Sequence, residues 1–114
     1  MNNLNSLILE GVVIGEPHKS EASDVLNFTV GSERYYKNRA GEDVTETSHF
    51  KVVAFGRMCD IPVKEGSGVR IVGILKQDKW EEPDGVTHSK VYIVAEHIEI
   101  KKKEFSNGLN NDKF

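Results

Sequence analysis

The stretch His49-Phe50-Lys51-Val52-Val53-Ala54-Phe55-Gly56-Arg57-Met58-Cys59-Asp60-Ile61-Pro62 decides the fold. It opens as a strand. β-Branched and aromatic residues alternate with a cation, and a period of two puts His49, Lys51, Val53 and Phe55 on one face and Phe50, Val52 and Ala54 on the other. Gly56 breaks the strand, and Arg57 to Ile61 leaves room for one or two helical turns before Pro62 stops them. Glu65-Gly66-Ser67-Gly68 then turns the chain into a fresh apolar run from Val69. The gap is too short for the crossover helix of a parallel sheet.

Working outward, the other apolar runs also read as strands. Leu7-Ile8-Leu9 and Val12-Val13-Ile14 form the first, with a bend or bulge expected at Gly11. Glu16-Pro17 is expected to end it, and the polar segment from His18 to Asp24 to be a loop. The second strand starts at Val25 and runs on toward Tyr35-Tyr36, and Asn38-Arg39-Ala40-Gly41-Glu42-Asp43 makes a hairpin tip. The third begins near Val44. Val69 to Trp80 is the fourth, Pro83-Asp84-Gly85 turns the chain, and Val86 to Ile100 is the fifth. In the fifth, Val91, Ile93 and Ala95 alternate with Tyr92, Val94 and Glu96. The expected class is all-β: a five-stranded Greek-key barrel with a short helix between the third and fourth strands, which is the order of the OB-fold. Residues 1–101 would form that domain, and residues 102–114 a short flexible tail of polar composition.

A length of 114 residues suits one core, and 38% hydrophobic with 29% charged residues is a soluble composition. No run is long enough for a membrane helix, and the start lacks the basic and apolar segments of a secretory signal. The lone Cys59 cannot form an internal disulfide, so a reducing, cytoplasmic setting is expected. Lys and Arg number 15 against 18 Asp and Glu, for a net charge of -3. That acidity implies weak long-range steering toward phosphate, although a local cationic stripe remains compatible with it. The histidines at 18, 49, 88 and 97 lack metal-ligand spacing, and no nucleophile elbow, phosphate loop or carboxylate pair appears. Neither catalysis, a cofactor nor a metal is expected.

An ordered set of short matches is more specific. Asn5-Ser6-Leu7-Ile8-Leu9-Glu10-Gly11, Glu16-Pro17, Asn27-Phe28-Thr29-Val30 and Glu33-Arg34-Tyr35 come first. Arg39-Ala40-Gly41, Glu46-Thr47, Lys51 to Arg57, Glu65-Gly66-Ser67 and Lys79-Trp80 before Asp84-Gly85 follow. With them, the chain resembles the DNA-binding domain of the bacterial single-stranded DNA-binding proteins along nearly all of residues 3–100. The resemblance implies an OB-fold that coats single-stranded DNA without sequence preference, in replication, recombination and repair. It also implies a homotetramer built as a pair of dimers. Phe55 and Trp80 match two of the family's stacking rings, and His49 stands where a third is usually tryptophan. Lys51, Arg57, Lys76 and Lys79 match its basic positions. Departures are specific too. Asp43 replaces a fourth ring, Ile74 and Asp78 replace common arginines, and the first loop is shorter. The tail ends Asn110-Asn111-Asp112-Lys113-Phe114 without the acidic cluster and proline through which the family recruits replication and repair proteins.

Each site residue has a plainer reading beside the functional one. Trp80, the only tryptophan, sits at a strand tip beside Lys76 and Lys79, where it suits stacking on a base or capping the barrel end. Phe55 is either a stacking ring or ordinary core. The face it shares with Lys51 favours ligand, because a lysine is rarely buried unpaired. Tyr35 and Tyr36 point to opposite faces, and Arg34 and Arg39 lie on a hairpin whose acids offset its bases. The expected partner is single-stranded DNA, with a homotetramer or dimer as the assembly. The rivals are an OB-fold protein-interaction module with weak DNA affinity and an RNA-binding OB domain.

Overall fold

In the computed structural model, which describes residues 2–101, five strands and one 3-10 turn follow in the expected order. They are β1 (Leu7–Ser20), β2 (Val25–Lys37), β3 (Asp43–Phe55), the turn (Gly56–Asp60), β4 (Gly68–Glu81) and β5 (Thr87–Ile100). The strands close into a barrel in the order β1-β2-β3-β5-β4. All neighbours are antiparallel except β3 and β5, which meet in parallel through Val52↔Ile93 and Val53↔Val94 alone. The tail expected at 102–114 lies outside the described residues.

Alternation decides what goes inside. Val13, Val30, Val52, Val69 and Ile71 are fully buried, joined by Leu26, Phe28, Ala54, Ile93, Ala95 and Ile98. The 3-10 turn caps one end, where Cys59 is buried and its thiol donates to the Ala54 carbonyl at 3.6 Å. Val52 and Ala54 take the inner face of β3 as expected, while Phe50, opposite the fully buried Val30, is half-exposed; beyond it β2 and β3 run on as a long arm. β4 and β5 form a second arm, paired out to Glu81↔Thr87.

One strand differs from the sequence reading. Glu16-Pro17 does not end β1; the strand continues to Ser20, and His18, Lys19 and Ser20 pair with Asn27, Leu26 and Val25. The register shifts between Ile14 and His18, with Gly15 at φ 74°, so the proline falls in the unpaired gap, where its missing N–H costs nothing. That irregularity takes the place of the bulge expected at Gly11, which stays in unbroken register with Val69.

Gly11 has a different duty. A β-carbon there would collide with the Gly31 carbonyl oxygen and lie 2.8 Å from Val30 Cγ1. β1 crosses β2 at that point as it changes partner, pairing with β4 up to Val12 and with β2 from Val12 onward. Gly73 makes the same close approach to Val94, beside the register shift between Val72 and Gly73. On the outer wall, Arg70 ties three strands together. It donates to Glu10 at 2.7 Å and to Glu99 at 3.2 Å, with Lys101 Nζ 3.7 Å from Glu10. The Arg70 guanidinium, as donor and as nearby charge, holds the Glu10 carboxyl below its ordinary value, while Glu10 holds Arg70 above its own.

Two outcomes are expected. Gly11→Ala should destabilise the barrel by roughly 1–3 kcal/mol, the usual cost of forcing atoms into a packed wall. Gly68→Ala, whose β-carbon would meet only Lys101 Cβ at 3.6 Å, should be nearly neutral in the same urea titration. Because Glu10 titrates low in the folded chain, its contribution is complete above the ordinary glutamate value of 4.5 and disappears as pH falls through the depressed folded value. The gap between wild type and Glu10→Gln in thermal melts should therefore be widest near neutrality and close on acidification.

Candidate nucleic-acid interface

The outer face of the barrel carries the candidate site. On β3 it presents His49, Lys51, Val53 and Phe55, as the alternation predicts, and Phe55 is 48% exposed. This excludes the core reading of that ring. On β2 the matching positions are Gly31, Thr29, Asn27 and Val25. Gly31 leaves space that Ile14 and His49 fill from either side: a β-carbon there would lie 2.9 Å from Ile14 Cγ1 and 3.5 Å from His49 Cδ2.

The parallel β3–β5 seam extends this face. It brings Tyr92 and Lys90 to the far bank of an open groove of about 910 Å³, opposite His49, Lys51 and Phe55. Sequence reasoning missed both. Their alternation against Ile93 was legible, but not that β5 lies beside β3. The Tyr92 hydroxyl donates to Asp78 at 3.0 Å, and Lys90 Nζ sits 5.6 Å from the Tyr92 ring centroid. Burial, then the Asp78 hydrogen bond and charge, push the Tyr92 phenol above its ordinary value.

Trp80 stands further out on the β4–β5 arm, 44% exposed, on the same face as Lys76 and Asp78. Lys76 is paired with Asp78 at 3.4 Å. Lys79, one position before Trp80, falls by alternation on the other face of the arm, so Trp80 and Lys79 are not brought together. Arg57 is exposed on the 3-10 turn just beyond Phe55. Among the described residues, Lys51, Arg57, Lys79 and Arg39 have no ion-pair partner.

The β2–β3 arm is split between its faces. Tyr35 shares the His49 face, is 71% exposed, and lines a second hollow that meets the first at Ile14. Its hydroxyl donates to Glu33 at 3.0 Å, and that bond raises the phenol above its ordinary value. Arg34 points to the opposite face, 3.3 Å from Glu46 and 4.3 Å from the Tyr36 ring centroid. Arg39 is exposed on the hairpin tip, where Asn38 Oδ1 accepts from the Ala40 and Glu42 amides. No group of three or more potential metal ligands occurs among the described residues, and no helix there is long and apolar enough to cross a membrane.

An OB barrel with exposed rings and cations along one face is the setting in which known proteins become informative. Residues 4–101 match the single-strand binding protein family. The chain belongs to that family. A single-stranded DNA-binding protein of Aquifex aeolicus is 34% identical over 103 residues, spanning 85% of this chain and 69% of the relative. Among solved structures, a Plasmodium falciparum SSB in complex with ssDNA shares the fold, with a TM-score of 0.75 at 20% identity over 90% of this chain and 98% of that one. A deletion mutant of the single-stranded DNA binding protein from Thermus aquaticus gives 0.74 at 19% identity, over 87% of this chain and 51% of that one.

The two raised phenols separate by cause in a spectrophotometric titration. Glu33→Ala, which removes the acceptor and its charge together, should return Tyr35 close to the ordinary tyrosine value, because these are its two largest perturbations. Asp78→Asn should lower Tyr92 only in part, because burial, its largest perturbation, remains.

Proposed function

We propose that the chain binds single-stranded DNA without sequence preference, in the setting of replication, recombination and repair, and does so by binding alone, without catalysis. The observation that carries this reading is the continuous outer face, on which exposed rings alternate with cations. Bases would stack on Trp80 and Phe55, and on the smaller rings of His49 and Tyr35. Lys51 and Arg57 are placed to meet phosphates beside them. Lys76 and Lys79, and Arg34 and Arg39 on the other arm, would contribute less. Lys76 and Arg34 are held by carboxylates, Lys79 lies on the far face of its arm, and Arg39 stands at a distant tip. The relatives' names support the ligand class. Residues 1–101 would suffice for binding, with 102–114 dispensable, and the buried thiol of Cys59 suits a reducing, cytoplasmic interior.

The assembly we propose is a homo-oligomer, a tetramer in the family's manner. From Leu7 to Gly11, β1 is hydrogen-bonded to β4 on one edge only, and Ile8 on its outer face is 71% exposed. An open edge beside apolar side chains invites pairing with a second copy. Light scattering should return a multiple of the 12.8 kDa chain mass, and a monomer at micromolar concentration would overturn the assembly.

The interaction-module reading draws on the tied cations and the net charge of -3. One titration separates the two. Trp80→Ala should weaken binding of a labelled oligothymidine roughly ten- to a hundredfold, given ~1–3 kcal/mol per stacked base. Phe55→Ala should cost a similar amount without unfolding the barrel, because the ring is half-exposed. With roughly three phosphates neutralised, log affinity should fall with log salt at a slope of about -2. Full affinity in Trp80→Ala, with unchanged Trp80 emission when wild type is saturated, would favour the module. Equal affinity for the matching ribo-oligonucleotide would widen the ligand to RNA.

A further inference from the structure

Trp80 and His88 face each other across the outer rungs of β4 and β5. Their ring centroids are 5.7 Å apart and their planes differ by 21°, an offset stack. The indole N–H also donates to Glu82 at 3.1 Å. The indole is therefore held twice, by a ring against one face and by a carboxylate at its edge. An exposed aromatic side chain near a hairpin tip ordinarily samples rotamers on the picosecond to nanosecond scale, and a ligand that stacks on it must freeze that motion. Here both contacts oppose that motion before any ligand arrives.

We propose that His88 is a positioning residue for the Trp80 platform: it backs the indole so that an incoming base completes a three-layer stack, imidazole, indole, base. The proposal rests on the reading of Trp80 as a base-stacking ring. No direct contact between His88 and DNA is required. The next side chains on this face, Lys90 of β5 and Asp78 of β4, are each engaged with Tyr92, and Glu82 is engaged with the indole itself. That leaves His88 as the ring against Trp80.

The test is a double-mutant cycle on the full chain with fluorescently labelled oligothymidine as the probe. Because His88 is exposed, the variants should keep the wild-type melting temperature. His88→Ala should weaken binding roughly two- to tenfold, the scale of immobilising one more side chain, and His88→Phe should restore it. In a Trp80→Ala background neither substitution should change affinity further. Without DNA, the emission of Trp80, the only tryptophan, should become less anisotropic and more accessible to a neutral quencher in His88→Ala, and recover in His88→Phe. Unchanged affinity in His88→Ala, failure of His88→Phe to rescue, or an equal loss in the Trp80→Ala background would each overturn the positioning role. A Trp80→Ala variant that binds as wild type sinks the platform itself, whatever the anisotropy of His88→Ala shows.

Discussion

The curl of the barrel wall rests on two places where a β-carbon would run into the backbone of the neighbouring strand. At Gly11 the backbone of β1 lies against that of β2, and at Gly73 the backbone of β4 lies against that of β5. A closed barrel needs strands that tilt and pass from one neighbour to the next. β1 does this outright, leaving β4 for β2 at Val12. The side chains that fill the interior are ordinary valines and isoleucines. The wall curls around them where these two glycines omit a side chain.

The acidic balance of the chain and a phosphate-bearing ligand are reconciled by position. Glu10 and Glu99 are offset by Arg70 and Lys101 on the β1–β4–β5 wall. Asp43 is offset by Lys37 on the β2–β3 arm. These carboxylates belong to the acidic total, yet each stands beside a cation on a surface other than the groove. Inside the groove, Lys51 meets no carboxylate among the described residues, while Asp78 is occupied by Tyr92 and Lys76. An interface with few free cations and several rings leans on stacking more than on counterion release, which accounts for the shallow salt dependence expected of it.

Much of this was legible in the sequence because it is local. Gly56 and Pro62 bracket the 3-10 turn, and the period of two in β3 separates the His49–Phe55 face from Val52 and Ala54. Hairpin turns mark the tips of both arms. What escaped depends on partners far along the chain. Glu16-Pro17 reads as a stop, yet a register shift with Gly15 at positive φ lets the strand absorb the proline. Tyr92 joins the groove through a parallel contact that no turn announces. Lys76 and Lys79 look alike beside Trp80 in sequence, and only the pleat places them on opposite faces.

The β3–β5 seam has one more consequence. Two residue pairs hold it, whereas the β2–β3 ladder runs unbroken from Val25↔Phe55 to Lys37↔Asp43. So short a parallel contact is the narrowest join in the barrel wall. The groove lies directly over it, with Lys51 on one bank and Tyr92 on the other. A strand laid across that join is a suture: every contact it makes with both banks also resists their parting. Part of the work of gripping the ligand is thereby spent on keeping the barrel shut, and occupancy and rigidity rise together.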